Sequence, residues 1–135
     1  MATMIKYKAG YKYQLAEDYS LQTNILPVEA IYSRFIYLSR SGQLAIFAGY
    51  AWDGASGGWD TKTFLRGALV HDALCQLMGE GLLSRDIFWH RAADLMHDNC
   101  IEDGMCRARA WWVRRAVLAW GSVSSGKQPE VLTAP

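Results

Sequence analysis

The feature that most restricts the fold of this chain is a change of hydrophobic period near its middle. Before about residue 50, apolar side chains recur at every second position: Ile5, Tyr7, Ala9, Tyr11, Tyr13 and Leu15 alternate with Lys6, Lys8, Lys12 and Gln14. That spacing belongs to a strand with one face in a core, and the lysine face suits a sheet edge. After about residue 60 the apolar residues take the three-and-four spacing of helices. A chain of 135 residues, 51% of them hydrophobic, can bury one real core and is too short to argue for two. The expected architecture is therefore α+β: a small antiparallel β-sheet from the N-terminal half packed on three α-helices from the C-terminal half, in a single domain over 1–121.

Within the first half, one strand is expected over Ile5 to Leu15, and a shorter segment from Leu21 to Val28 is interrupted at Pro27. The run "AIYSRFIYLSRSGQLAIFAGY" reads as two more strands joined at Ser39–Gly42, a turn in which Gly42 can take positive φ. In the second half, Asp60 or Thr61 can cap a helix to about Met78, and Ser84 a second one to about Asn99. A third is expected from about Met105 to Trp120, stopped by Gly121. The remainder, 122–135, is polar and reads as a flexible tail or one ordered by a partner.

Composition removes several classes of function. A net charge of +1 supplies no bulk field for nucleic acid or an acidic substrate. Cys75, Cys100 and Cys106 form neither a disulfide framework nor a paired metal motif, which points to reduced thiols and a cytoplasmic setting. No apolar run approaches the roughly 18 residues of a membrane span, and "MATMIKYKAGYKYQL" has no leader-like apolar core.

Chemistry concentrates in three places. The first is "GALVHDALCQLM", residues Gly67 to Met78. On a helix, Ala68, His71, Cys75 and Met78 fall on one stripe facing the core, and Asp72 lies about a quarter turn away. The helix is apolar nearly all round, so Asp72 needs a charge partner, hydrogen bonds or a metal. The second is "SRDIFWHRAADLMHDN", where Ile87, His90, Arg91, Asp94, His97 and Asp98 share one face, with Phe88, Ala92, Leu95 and Met96 toward the core. If the two helices form a hairpin, Asp94 or His90 can approach His71 and Asp72, and a carboxylate on the imidazole would orient a general base. The third is the loop "GYAWDGASGGWD", where Gly54, Ser56 and Gly57 allow close backbone approach to a ligand. Asp53 with Asp72 and loop carbonyls suits a divalent cation, calcium rather than zinc. A structural role competes with each: a His–Asp pair can close a hydrogen-bond network, exposed histidines can be mere surface, Arg91 can be an ion-pair anchor, and Cys75 a small core residue.

The third helix, "MCRARAWWVRRAVLAW", interleaves arginines with Trp111, Trp112 and Trp120. A stripe of Met105, Trp112, Val113, Ala116, Ala119 and Trp120 is expected to cover the core, leaving Trp111 and the arginines as a partner surface. Contact with a membrane surface through this helix is the weaker reading, and nothing specific argues for nucleic acid.

The blocks "GYAWDGASGG", "LVHDALCQL", "HRAADLM" and "GMCRARAWWVRRAVLAWG", in that order, resemble an uncharacterised phage and prophage family, domain of unknown function 1353. The resemblance runs from the first strand to Gly121 and falls on Asp53, Ala55, Ser56, His71, Asp72, Arg91, Asp94 and Gly121. This chain has Gly57–Gly58 and Cys75 where the family usually has a proline and a tyrosine. It implies synthesis in a host cytoplasm, incorporation into a virion, and other phage proteins or further copies of itself as partners. The helix pair is also similar to bacterial-type secreted phospholipases, which implies His71 activating water, Asp94 orienting it, and Asp72 holding calcium. Two functions follow as expectations. One is a metal-assisted hydrolase with His71 and Asp94 catalytic, Asp72 and Asp53 on the metal, and Arg91 in support. The other is a non-enzymatic virion or assembly component whose His–Asp network is structural.

Overall fold

The computed structural model describes residue 5 and residues 7–8, 13–52 and 62–124. Two small antiparallel sheets occupy the N-terminal half and three helices the C-terminal half, so the fold is α+β. The strands lie in one compact unit and the helices in another.

The seven strands are β1 (Tyr7–Lys8), β2 (Tyr13–Leu15), β3 (Tyr19–Gln22), β4 (Ile31–Tyr32), β5 (Ile36–Leu38), β6 (Gln43–Ile46) and β7 (Ala51–Trp52). They form a sheet ordered β1-β2-β7 and another ordered β3-β6-β5-β4. The single strand expected over Ile5 to Leu15 is instead a pair: Tyr7 stands opposite Leu15 and Lys8 opposite Gln14. Two short strands preserve the same alternation as one long strand, so periodicity alone does not separate them. The strand expected from Leu21 to Val28 starts earlier and ends at Gln22. There Thr23 Oγ1 donates to the Gly42 carbonyl at 2.8 Å and accepts from Ile25 N at 3.0 Å, turning the backbone out of the ladder. The first of the two strands expected after residue 30 is likewise divided, by a turn in which Ser33 N donates to Ile36 O. The second forms as the single strand β6, which ends at Ile46, and β7, beyond that run, pairs with β2 in the smaller sheet.

The Ser39–Gly42 hairpin forms as expected. Gly42 N donates to Ser39 O, Ser39 N to Gln43 O, and Gly42 sits at φ +91°, the arrangement of a type I turn closed by a glycine bulge. A Cβ on Gly42 would stand 2.3 Å from the Thr23 carbonyl oxygen, so the position excludes every other residue. The register then gathers the sheet's core. Leu21 and Leu38 flank Leu44, Tyr19 and Ile36 flank Ile46, and all six of these residues are buried.

The helices are α1 (Lys62–Gly79), α2 (Arg85–Glu102) and α3 (Arg107–Ser124). Ser84 caps α2, its hydroxyl accepting from Ile87 N at 3.3 Å. Leu82 N bonds back to Leu77 O beyond α1, and Met105 N to Cys100 O beyond α2, so both helices end in the same six-to-one closure. Gly121 does not stop the third helix, which continues to Ser124. A glycine in a helix costs about 1 kcal/mol relative to alanine, a penalty that several flanking helical turns can outweigh.

α1 and α2 run antiparallel and very close. A Cβ on Gly67 would meet Cys100 Sγ at 2.8 Å and Met96 O at 3.1 Å, so the crossing requires the absence of a side chain there. Beside this crossing Arg66, only 2% exposed, sends Nε to Asp103 Oδ2 at 2.9 Å and Nη2 to Asp103 Oδ1 at 3.0 Å. It also contacts the Glu102 carboxylate and the Asn99 carbonyl. The guanidinium therefore meets two carboxylates and the negative end of the α2 dipole in one place. Arg66→Met should lower unfolding free energy by roughly 3 kcal/mol, because it leaves Asp103 charged and mostly enclosed. Urea denaturation followed by circular dichroism measures this, and a loss within error of zero would show the ion pair to be dispensable.

Candidate functional site

α1 is buried from Phe64 to Met78 with one interruption, the half-buried Asp72. His71 is 6% exposed, as the apolar stripe predicts. Its surroundings are a thiol and an indole. Cys75, one helical turn on, places Sγ 3.6 Å from Nδ1 and 3.7 Å from Nε2, and the Trp89 ring of α2 stands 6.1 Å away, centroid to centroid. The Arg85 guanidinium lies 4.1 Å over the other ring of this group, that of Trp89. His71, Cys75, Trp89 and Arg85 thus form one cluster where the middle of α1 meets the first turns of α2, with Asp72 close enough to act on the Cys75 thiol by its charge.

Burial sets the charge states here. Desolvation lowers the His71 pKa from 6.5 to about 4, so the imidazole is neutral at pH 7. Burial, reinforced by Asp72 and opposed by Arg85, raises the Cys75 thiol to about 12. The pair is therefore a neutral thiol against a neutral imidazole, without the thiolate that nucleophilic cysteine chemistry uses. Cys100 is pushed to about 12 as well, by burial first and by Asp103 second.

Of the other described residues expected at the site, Asp94, Arg91 and His90 lie on the outer face of α2, away from His71. Asp94 is on the solvent face of α2, 56% exposed, and its Oδ1 accepts from Arg114 Nε on α3 at 2.6 Å. Among the described residues no hydrogen bond or ion pair joins it to His71. His90, Asp98 and Arg91 are exposed on the same face, Arg91 lying 5.6 Å from the Phe88 ring centroid. The reason is geometric: α2 turns Phe88, Trp89, Ala92, Ala93 and Met96 inward, and that leaves position 94 outward. Asp53, Gly54, Ser56 and Gly57 lie outside the described residues. Within those described, no group of three or more His, Cys, Asp or Glu side chains stands close enough to share a metal ion.

Sequence reasoning missed Arg66, Asp103, Arg85 and Trp89. Arg66 carried a signal: a lone arginine in an apolar helix, with the consecutive acids Glu102 and Asp103 at the end of the next helix. Arg85 and Trp89, one turn apart, carried none before the helix hairpin was known.

Comparison with protein families, with curated proteins and with solved structures finds no match to this chain.

Two measurements follow from the cluster's charge states. As pH falls from about 6.5 to about 4, the unfolded His71 takes up a proton that the native ring refuses, so stability drops in that window. The loss should reach roughly 3 kcal/mol, and in His71→Gln the difference in unfolding free energy between pH 7 and about pH 4 should shrink by about that amount. An unchanged pH dependence in the variant would mean that the ring is solvated. A thiol reagent at pH 8 should label the exposed Cys106 rapidly and Cys75 and Cys100 only on denaturation, and rapid native labelling of Cys75 would contradict its burial.

Proposed function

We propose that this chain is a non-enzymatic structural or assembly component of a phage particle, in which His71, Cys75 and Trp89 serve the packing of α1 on α2. One observation carries the reading: the Asp94 carboxylate is engaged by Arg114 on the outer face of α2, while the imidazole it would orient is enclosed and neutral. The metal-assisted hydrolase reading requires Asp94 to exchange that partner and the ring to reach water. It also places Asp72 with Asp53 on a calcium ion. The half-buried Asp72 is an oxygen donor of the kind that reading calls for.

The phage setting rests on the order of the four sequence blocks alone, as do phage proteins or further copies of the chain as partners. Particles and infected-cell extracts from a host carrying the gene should contain the chain bound to structural proteins, detected by mass spectrometry after affinity capture. Its absence from both preparations would overturn the assignment. Calorimetric titration with calcium, magnesium and zinc should give the same heats for the wild type and Asp72→Asn. Saturable calcium binding lost in Asp72→Asn would return the site to the hydrolase reading.

A further inference from the structure

α3 carries four arginines and no aspartate or glutamate between Arg107 and Ser124. Its buried side is made by Ala110 and Val113, and the opposite face presents Arg107, Ala108, Trp111, Trp112, Arg115 and Ala119 to solvent. The core stripe expected from sequence is thus corrected at Trp112 and Ala119, which lie about half a turn away from Ala110 and Val113. Trp111 and Trp112 are 54% and 53% exposed and adjacent, an apolar area of the kind that marks an interaction surface. Their rings stack with centroids 6.5 Å apart and 22° between planes, and the Arg115 guanidinium lies 5.0 Å from the Trp111 centroid.

Charge complementarity narrows the partner. Arg114 is neutralised by Asp94, but among the described residues no carboxylate pairs with Arg107 or Arg115. A second copy of this face would oppose arginine to arginine, which disfavours self-pairing. A base stacked on Trp111 would compete with Arg115 for the ring, and between the arginines the face offers alanines rather than hydroxyl or amide donors for a nucleic-acid backbone. A helix with indoles and arginines on one side, too polar to cross a bilayer, instead matches a helix lying in the plane of an anionic membrane surface. We infer that the solvent face of α3 docks on anionic lipid, Trp111 and Trp112 entering the headgroup level while Arg107 and Arg115 meet lipid phosphates and carboxylates.

The test uses the full chain with vesicles of phosphatidylcholine alone and of phosphatidylcholine mixed with phosphatidylserine, by co-sedimentation at low and high salt. Binding should require phosphatidylserine and weaken as salt rises. W111S/W112S and R107E/R115E should each reduce the partition constant about tenfold or more, with helical circular dichroism unchanged because all four side chains are exposed. Three outcomes overturn the inference: no binding to the mixed vesicles, equal binding to both vesicle types, or full binding by both variants. Binding of a single-stranded oligonucleotide that the same variants abolish, without vesicle binding, would assign the face to nucleic acid instead.

Discussion

The helical unit depends on one buried cation. Arg66 is enclosed at the point where α1 starts and α2 ends, and its guanidinium is satisfied only when Asp103, Glu102 and the Asn99 carbonyl are all in place. Such a group does not tolerate sliding of one helix along the other, since a shift of one turn leaves a charge unpaired in a low-dielectric surrounding. Gly67, next in sequence, removes the side chain that would hold the helices apart. Attraction at position 66 and permission at position 67 together set the register in which His71 meets Trp89.

That register decides the chemistry of the His–Asp dipeptide. An imidazole can be a base, a ligand or a filler of space, and the choice rests on water and on neighbouring charge. Here the ring is shut between a thiol and an indole, so it stays neutral far below its usual titration range. The adjacent thiol is held protonated by the same enclosure. Meanwhile α2 turns its polar stripe of His90, Arg91, Asp94 and Asp98 to solvent, and Asp94 fastens α3 through Arg114. His71 on the buried side of α1 and Asp94 on the solvent face of α2 are thus held in different surroundings.

The two strand runs that meet at Ser39–Gly42, the turn at Gly42 and the cap at Ser84 were all legible in the sequence, because each depends on residues within a few positions of itself. The same local rules placed Phe88, Ala92 and Met96 inward, whereas Asp94, expected to reach His71 across the helix hairpin, faces solvent and pairs with Arg114. They failed where two local patterns fit equally well. A run with period two serves as one strand or as two folded together, which is why Tyr7 and Leu15 turned out to be partners rather than ends of one strand. A tryptophan-rich helix has several plausible inner stripes, and Trp112 was assigned to the wrong one.

Class and element type therefore follow from the chain alone, since hydrophobic period and capping act over a few residues and need no distant partner. The pairing of Arg66 with Asp103 across 37 positions, the contact of His71 with Trp89, and the diversion of Asp94 to Arg114 belong to the folded molecule only. Each requires helices to meet in a particular register, and that register is chosen by packing and by the satisfaction of buried charge, which linear spacing does not encode.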